Sequence, residues 1–168
     1  LDDADWTPNP DETVPTDWEA RMSNGSGGYT YGSLQDLIGK VTGTNQVTIE
    51  LAKDVTLSSP ISVAGNKNIG IEGKDHTISF AASALDTAFE VAASSKGTSL
   101  TVNNVHFVQT GETSQGHAIC VREATENVNV AADGCTFENL YSGIYYGHVE
   151  KGSGSLSITG STFENTKY

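Results

Sequence analysis

The tetrapeptide Thr-Phe-Glu-Asn occurs twice, at residues 136–139 and again at 162–165, and its acids and amides are the first groups with the means to do chemistry. On adjacent strands ~4.8 Å apart, Glu138 would stand beside Glu164 and Asn139 beside Asn165. Two carboxylates that close repel unless something intervenes. One reading turns both acids into water and lets the asparagines form a stacked amide ladder at a turn. Another makes Glu138 and Glu164 a calcium site, since calcium takes carboxylate and amide oxygens. The same separation suits a retaining glycosidase pair, although nothing else in the sequence supports hydrolysis. Tyr141, Tyr145 and Tyr146 follow within one segment. Strand alternation turns Tyr145 outward with Cys120 as its neighbour, and Tyr146 inward. Outward tyrosines on a flat sheet suit stacking against a sugar, or are ordinary amphipathic surface residues. The ligand-binding candidates are therefore Tyr145, Tyr141, Glu138, Glu164, Asn139 and Asn165, with no catalytic residue assigned.

Other reactive side chains point to structure. Arg21 and Arg122 are the only arginines. Arg122 should face outward and pair with Glu123 or Glu126. Gly116-His117 and Gly147-His148 fall at different offsets from the strands that follow or precede them, so both histidines read as turn or strand-end residues. His106 should face outward in a row with Thr136 and Thr162, and His76 marks a strand start. Cys120 is expected to point out and Cys135 in, which predicts two free thiols, because a disulfide needs convergent Cβ vectors and Cα atoms within ~7 Å. No Cys/His spacing suggests zinc.

The elements that would position these groups repeat. Four segments open alike, with Ile69-Gly70-Ile71, Leu100-Thr101-Val102, Val128-Asn129-Val130 and Leu156-Ser157-Ile158. Each is followed by a pair: Ile78/Phe80, Val105/Phe107, Cys135/Phe137 and Ser161/Phe163. The first three continue into Phe89/Val91, Ile119/Val121 and Ile144/Tyr146. An earlier copy runs through Val47/Ile49/Leu51, Val55/Leu57 and Ile61/Val63. Three short strands per repeat, at a near-constant period, specify a solenoid with three faces. Equivalent inward residues stack into columns, so Phe80, Phe107, Phe137 and Phe163 are expected in one column, and Cys135 in another with Ile78, Val105 and Ser161. Asn and Gly residues fall between the strands, at the corners. The fold class is all-β: a right-handed parallel β-helix with three strands per coil and about four to five coils. A helix over 33–39 caps it, with Ser33 as N-cap and Leu34, Leu37 and Ile38 on one face.

Ahead of the helix, residues 1–32 read as an acidic, Pro- and Gly-containing arm, which Trp6 and Trp18 could tie onto the domain at 33–168. The chain carries 21 acids against nine Lys and Arg, a formal charge of −12. Seven of those acids fall within the first nineteen residues. This balance repels phosphate backbones and anionic membrane surfaces, so neither nucleic acid nor a membrane is an expected partner. No apolar run approaches the ~20 residues that span a bilayer. The last repeat stops partway through a coil, which predicts a fragment of a longer protein and an open end able to associate end to end with another copy.

The run Val47-Thr48-Ile49-Glu50-Leu51 through Ile71-Glu72-Gly73-Lys74-Asp75-His76-Thr77-Ile78, behind a capping helix, resembles the right-handed parallel β-helix (pectate-lyase-like) superfamily over roughly residues 33–168. In that superfamily, lyases hold calcium in an acidic cluster beside a proton-removing Arg or Lys, and polygalacturonases carry Asn-Thr-Asp, Gly-His-Gly and Arg-Ile-Lys. Those three motifs are absent here. The resemblance therefore implies the bacterial surface, adhesin-like members: a non-catalytic module of a secreted or cell-surface protein, serving as stalk or recognition surface for a polysaccharide or cell-surface glycan. The alternative is the N-terminal part of a polysaccharide lyase or glycoside hydrolase with its active site on later coils. Fold alone does not choose between them.

Overall fold

The computed structural model describes residues 17–81, 85–111, 115–123, 125–147, 149–151 and 154–168. Trp6, most of the acidic run and His148 lie outside the described residues.

The chain enters through a hairpin, β1 (Ala20–Ser23) and β2 (Tyr29–Gly32), followed by α1 (Leu34–Lys40). Residues 20–32 were expected to belong to the extended arm, but they pair antiparallel with each other, and β1 pairs antiparallel with the first strand of the solenoid. Two features make this hairpin stable despite its Gly-rich loop. Asn24 Oδ1 accepts hydrogen bonds from the Ser26 and Gly28 backbone N–H groups at 2.9 and 3.1 Å, an Asx turn that closes the loop. Trp18 packs edge-on against Tyr31, with ring centroids 4.8 Å apart. In α1, Ser33 Oγ accepts from the Asp36 N–H, and Leu34, Leu37 and Ile38 are buried.

The first coil then runs through β3 (Val47–Leu51), β4 (Val55–Leu57) and β5 (Ile61–Val63). The second contains β6 (Asn68–Glu72), β7 (Thr77–Ala81) and β8 (Thr87–Val91). The third contains β9 (Ser99–Asn103), β10 (His106–Thr110), β11 (His117–Val121) and the short β12 (Thr125–Glu126). The fourth contains β13 (Asn129–Asp133), β14 (Thr136–Glu138), β15 (Ser142–Tyr146) and β16 (Val149–Lys151). β17 (Ser155–Thr159) and β18 (Thr162–Glu164) begin another. The first sheet has the order β17-β13-β9-β6-β3-β1-β2, the second β18-β14-β10-β7-β4 and the third β15-β11-β8-β5, while β12 pairs with β16. All pairs between coils are parallel. The molecule is thus a parallel β-helix with a short N-terminal capping helix, as the repeats predicted.

Two registers differ from the expected ones, each by two residues. Phe107 pairs with Phe137, and Phe137 with Phe163, but the partner of Phe107 on β7 is Ile78. Phe80 instead stands opposite Leu57 and Gln109. The corner before β7 holds four residues, Gly73 to His76, with Lys74 and Asp75 both at positive φ, whereas the equivalent corners before β10, β14 and β18 hold two. An insertion of two preserves which side chains face inward and moves Phe80 one inward place along the strand. Ile78 therefore leaves the corner column, where Val105, Cys135 and Ser161 remain at equivalent places. Likewise, the third opening triplet in register is Val130-Ala131-Ala132, paired with Leu100-Thr101-Val102, rather than Val128-Asn129-Val130. Val128 is a buried corner residue that follows Asn127 at φ 52°.

The core is a single column-built cluster. Phe107 and Phe137 stack at 5.6 Å with planes 3° apart, Phe137 and Phe163 at 4.9 Å and 23°, and Phe89 meets Phe107 edge-on at 6.0 Å. At its start, the solenoid is closed by α1, whose Gln35 brackets β5: the Ser62 N–H donates to Gln35 Oε1 at 2.8 Å. Lys67 Nζ donates to the Ile38 carbonyl at the helix end.

Candidate functional site

Two places outside the core gather polar and aromatic side chains, and the six ligand-binding candidates divide between them. The first lies at the start of the third sheet. The β11–β15 pairing sets Cys120 beside Tyr145 and His117 beside Ser142. The Tyr141 backbone N–H bonds the Gly116 carbonyl, which fixes that tyrosine at the corner next to His117. The three rings converge. His117 lies 5.1 Å from Tyr145 and 5.8 Å from Tyr141, centroid to centroid, and Tyr168 lies 5.3 Å from Tyr141. Tyr141 and Tyr145 are 40 % and 50 % exposed. Lys167 Nζ stands 5.6 Å over the Tyr141 ring.

His117 is held in place rather than free to rotate, since its Nδ1 shares a 2.7 Å hydrogen bond with Ser142 Oγ. Burial pushes its pKa below the ordinary histidine value; Asp86 opposes that shift and Arg122 adds to it. The ring is therefore a neutral aromatic surface at neutral pH. Sequence reasoning missed it, because the two Gly-His pairs were compared with each other. The informative comparison is His117 with Ser142, which both stand two residues before the inward Ile119 and Ile144.

Beside this cluster, Arg122 reaches back one coil. Its Nε donates to Glu90 Oε2 at 3.0 Å and its Nη2 to both Asp86 oxygens at 3.1–3.2 Å. The expected partners Glu123 and Glu126 are not the ones it takes. Position 90 lies in register with 120, so residue 122 sits diagonally above Glu90, closer than its sequence neighbours. Burial alone would lower the Arg122 pKa, but the bonds to Glu90 and Asp86 raise it. A depression of about 380 Å³ runs between Arg122, Glu123, Ala93, Cys120 and Tyr145. Cys120 belongs to the outward row with Glu90 and Tyr145, as expected, yet is only 2 % exposed, and burial pushes its thiol pKa up. Both cysteines are free thiols.

The second place is on the second sheet. His106 Nε2 and Glu138 Oε2 are 2.8 Å apart, and Glu138 pairs in register with Glu164. With Asp75, Asn104 and Thr136 they line a groove of about 320 Å³. His106 faces out in the predicted row with Thr136 and Thr162. Asn139 and Asn165 hold the corner that follows, at φ 56° and 49°. Asn139 Nδ2 donates to the Gln109 and Gly111 carbonyls of the preceding coil, a structural use of the amide. Among the described residues, no group of three or more His, Cys, Asp and Glu side chains has metal-binding geometry.

Comparison of the chain with protein-family models, curated proteins and solved structures finds no match. The site must be read from its own geometry.

Proposed function

We propose that this chain is a non-catalytic recognition module of a secreted or cell-surface bacterial protein, an adhesin-like relative of the pectate-lyase-like β-helices, and that it binds a glycan at the third sheet. The observation that carries the reading is the convergence of two exposed tyrosines, Tyr141 and Tyr145, on the half-buried ring of His117 between them. Pyranose rings present apolar C–H faces and a hydroxyl rim. Aromatic side chains take the first, and the carboxylates and guanidinium of Glu90, Asp86 and Arg122 take the second. Sheet pairing and the His117–Ser142 bond fix the rings before a ligand arrives, which spares much of the ordering cost of binding.

A glycan array probed with the purified chain tests this, run once with calcium and once with chelator. Specific binding is expected, insensitive to chelator, and reduced about tenfold in Tyr145→Ala, the equivalent of ~1.4 kcal/mol. Silence across the array would leave a structural stalk. Binding that is lost on chelation and in Glu138→Ala would move the site to the Glu138–Glu164 groove. A second reading, part of a polysaccharide lyase or glycoside hydrolase, draws on the His106–Glu138 pair beside Glu164. It requires release of cleaved product from a bound glycan.

A further inference from the structure

The hairpin ahead of α1 closes through one side chain. Asn24 Oδ1 accepts from the Ser26 and Gly28 N–H groups at 2.9 and 3.1 Å, and the Asn24 N–H donates to the Gly28 carbonyl at 3.0 Å. Asn24 is also the only asparagine in the chain that a glycine follows. Elsewhere the fold ties asparagine amides down: the Nδ2 groups of Asn68, Asn104 and Asn139 donate to the Thr44 carbonyl, Glu72 and the Gln109 carbonyl. Asn24 lies exposed, and its Nδ2 has no acceptor among the described residues.

An asparagine amide is a slow electrophile, and the nitrogen of the next residue lies within reach of it, because the ring so formed has five members. At Asn24 the surroundings favour that attack. Gly25 brings no side chain, sits at φ 76° and has open space where a Cβ would stand. Its N–H is outside the strand ladder and makes a long bond, 3.3 Å, to Ser23 Oγ. The two N–H groups on Asn24 Oδ1 stand at the atom that gains negative charge when Cγ becomes tetrahedral.

We infer that Asn24-Gly25 is a self-modification site, at which the folded chain converts its own Asn24 to aspartate and isoaspartate. The Gly25 nitrogen gives up its proton to solvent and bonds to Cγ. The Cγ–Nδ2 bond breaks, and Nδ2 takes up a proton and leaves as ammonia. One water then opens the succinimide. Cleavage of the bond from the Gly25 nitrogen to Cγ gives aspartate, which keeps an acceptor for Ser26 and Gly28. Cleavage of the bond to the α-carbonyl carbon gives isoaspartate, in which the chain runs through Cβ and Cγ. That adds a methylene to the loop between Ser23 and Tyr29, which pair across it, and turns the Asx acceptor into a main-chain carbonyl. Isoaspartate therefore loosens the hairpin that flanks β3, and aspartate leaves it closed. This does not depend on the glycan reading.

Incubation of the purified chain in mildly alkaline buffer, followed by peptide mapping, tests this. A gain of one mass unit is expected in the peptide that holds Asn24, ahead of every other asparagine, with ammonia released in equal amount. In water labelled with heavy oxygen the product is expected to carry one heavy atom. The folded chain is expected to react within about tenfold of the rate of the urea-unfolded chain, a barrier at most ~1.4 kcal/mol higher. Asn24→Gln, whose ring would need six members, is expected to keep its mass over the same period. The isoaspartate form, separated by chromatography, is expected to lose hydrogen-exchange protection across residues 23–29 while the far-UV circular dichroism of the solenoid stays unchanged. A folded chain that stays intact while the unfolded one reacts would overturn the inference. So would a mass gain that appears first at another asparagine, or one that persists in Asn24→Gln.

Discussion

Gln109 shows how much one side chain can carry in a solenoid. It faces inward, is 1 % exposed, and stands opposite the buried ring of Phe80. Its Oε1 accepts from the Gly116 and Gln115 N–H groups and so ties the turn before β11 to the core. Gly116 is required there, since a Cβ would lie 2.6 Å from the Phe80 ring and 2.9 Å from Gln109 Oε1. Gln109→Leu keeps the volume but leaves two N–H groups without their acceptor, and should cost about 1–3 kcal/mol in chemical denaturation. His117 gives a second residue-scale expectation. Its folded pKa is lowered, so as pH falls the unfolded chain takes up the proton first. Its contribution to stability is full above the unfolded value of 6.5 and is lost as pH drops below it. The melting temperature of the wild-type chain should therefore fall more than that of His117→Asn between pH 7.5 and 5.5 (values bracketing the unfolded histidine pKa of about 6.5). An equal fall in both would remove His117 from the account.

At the scale of elements, inward alternation and three-strand repetition are strong signals, and both were readable. Each strand of the third sheet contains its predicted pair, and each of the second contains the second member of its pair, with Val105, Cys135 and Ser161 left at the corners. Register along the strand was not readable at Phe80 or Val128, because a two-residue change in corner length leaves alternation untouched. Only the left-handed residues of those corners, Lys74 with Asp75 and Asn127, mark the difference. The hairpin was missed for another reason. Its strands are four residues long, and their stability comes from the β3 edge and from Trp18 against Tyr31, neither visible in local pattern. The stacked phenylalanine column offers a controlled test of burial at constant chemistry. Phe137→Ala, fully buried between two rings, should cost about 3–5 kcal/mol. Phe163→Ala, at 45 % exposure in the same column, should cost less than half as much in the monomer. Equal losses would mean that the last coil is covered in solution.

For the whole molecule, the sequence specified the architecture and named Tyr141 and Tyr145, but not the ring that joins them. His117 lies 24 residues before Tyr141 in sequence, and only the coil-to-coil register brings it alongside. That register also separates the acids from the aromatics, so that one set of candidate residues became two surfaces on different sheets. Among the described residues, His117 belongs to the aromatic cluster on the third sheet and His106 lines the groove on the second, and the pair can report which surface a ligand uses. The direct test is to follow the imidazole resonances of the full chain by NMR while adding a glycan that scores on the array. The account predicts that the His117 signals move, saturably and together with Tyr145, while those of His106 stay in place. Movement of His106 with His117 unchanged would contradict it, and would place recognition in the Glu138–Glu164 groove.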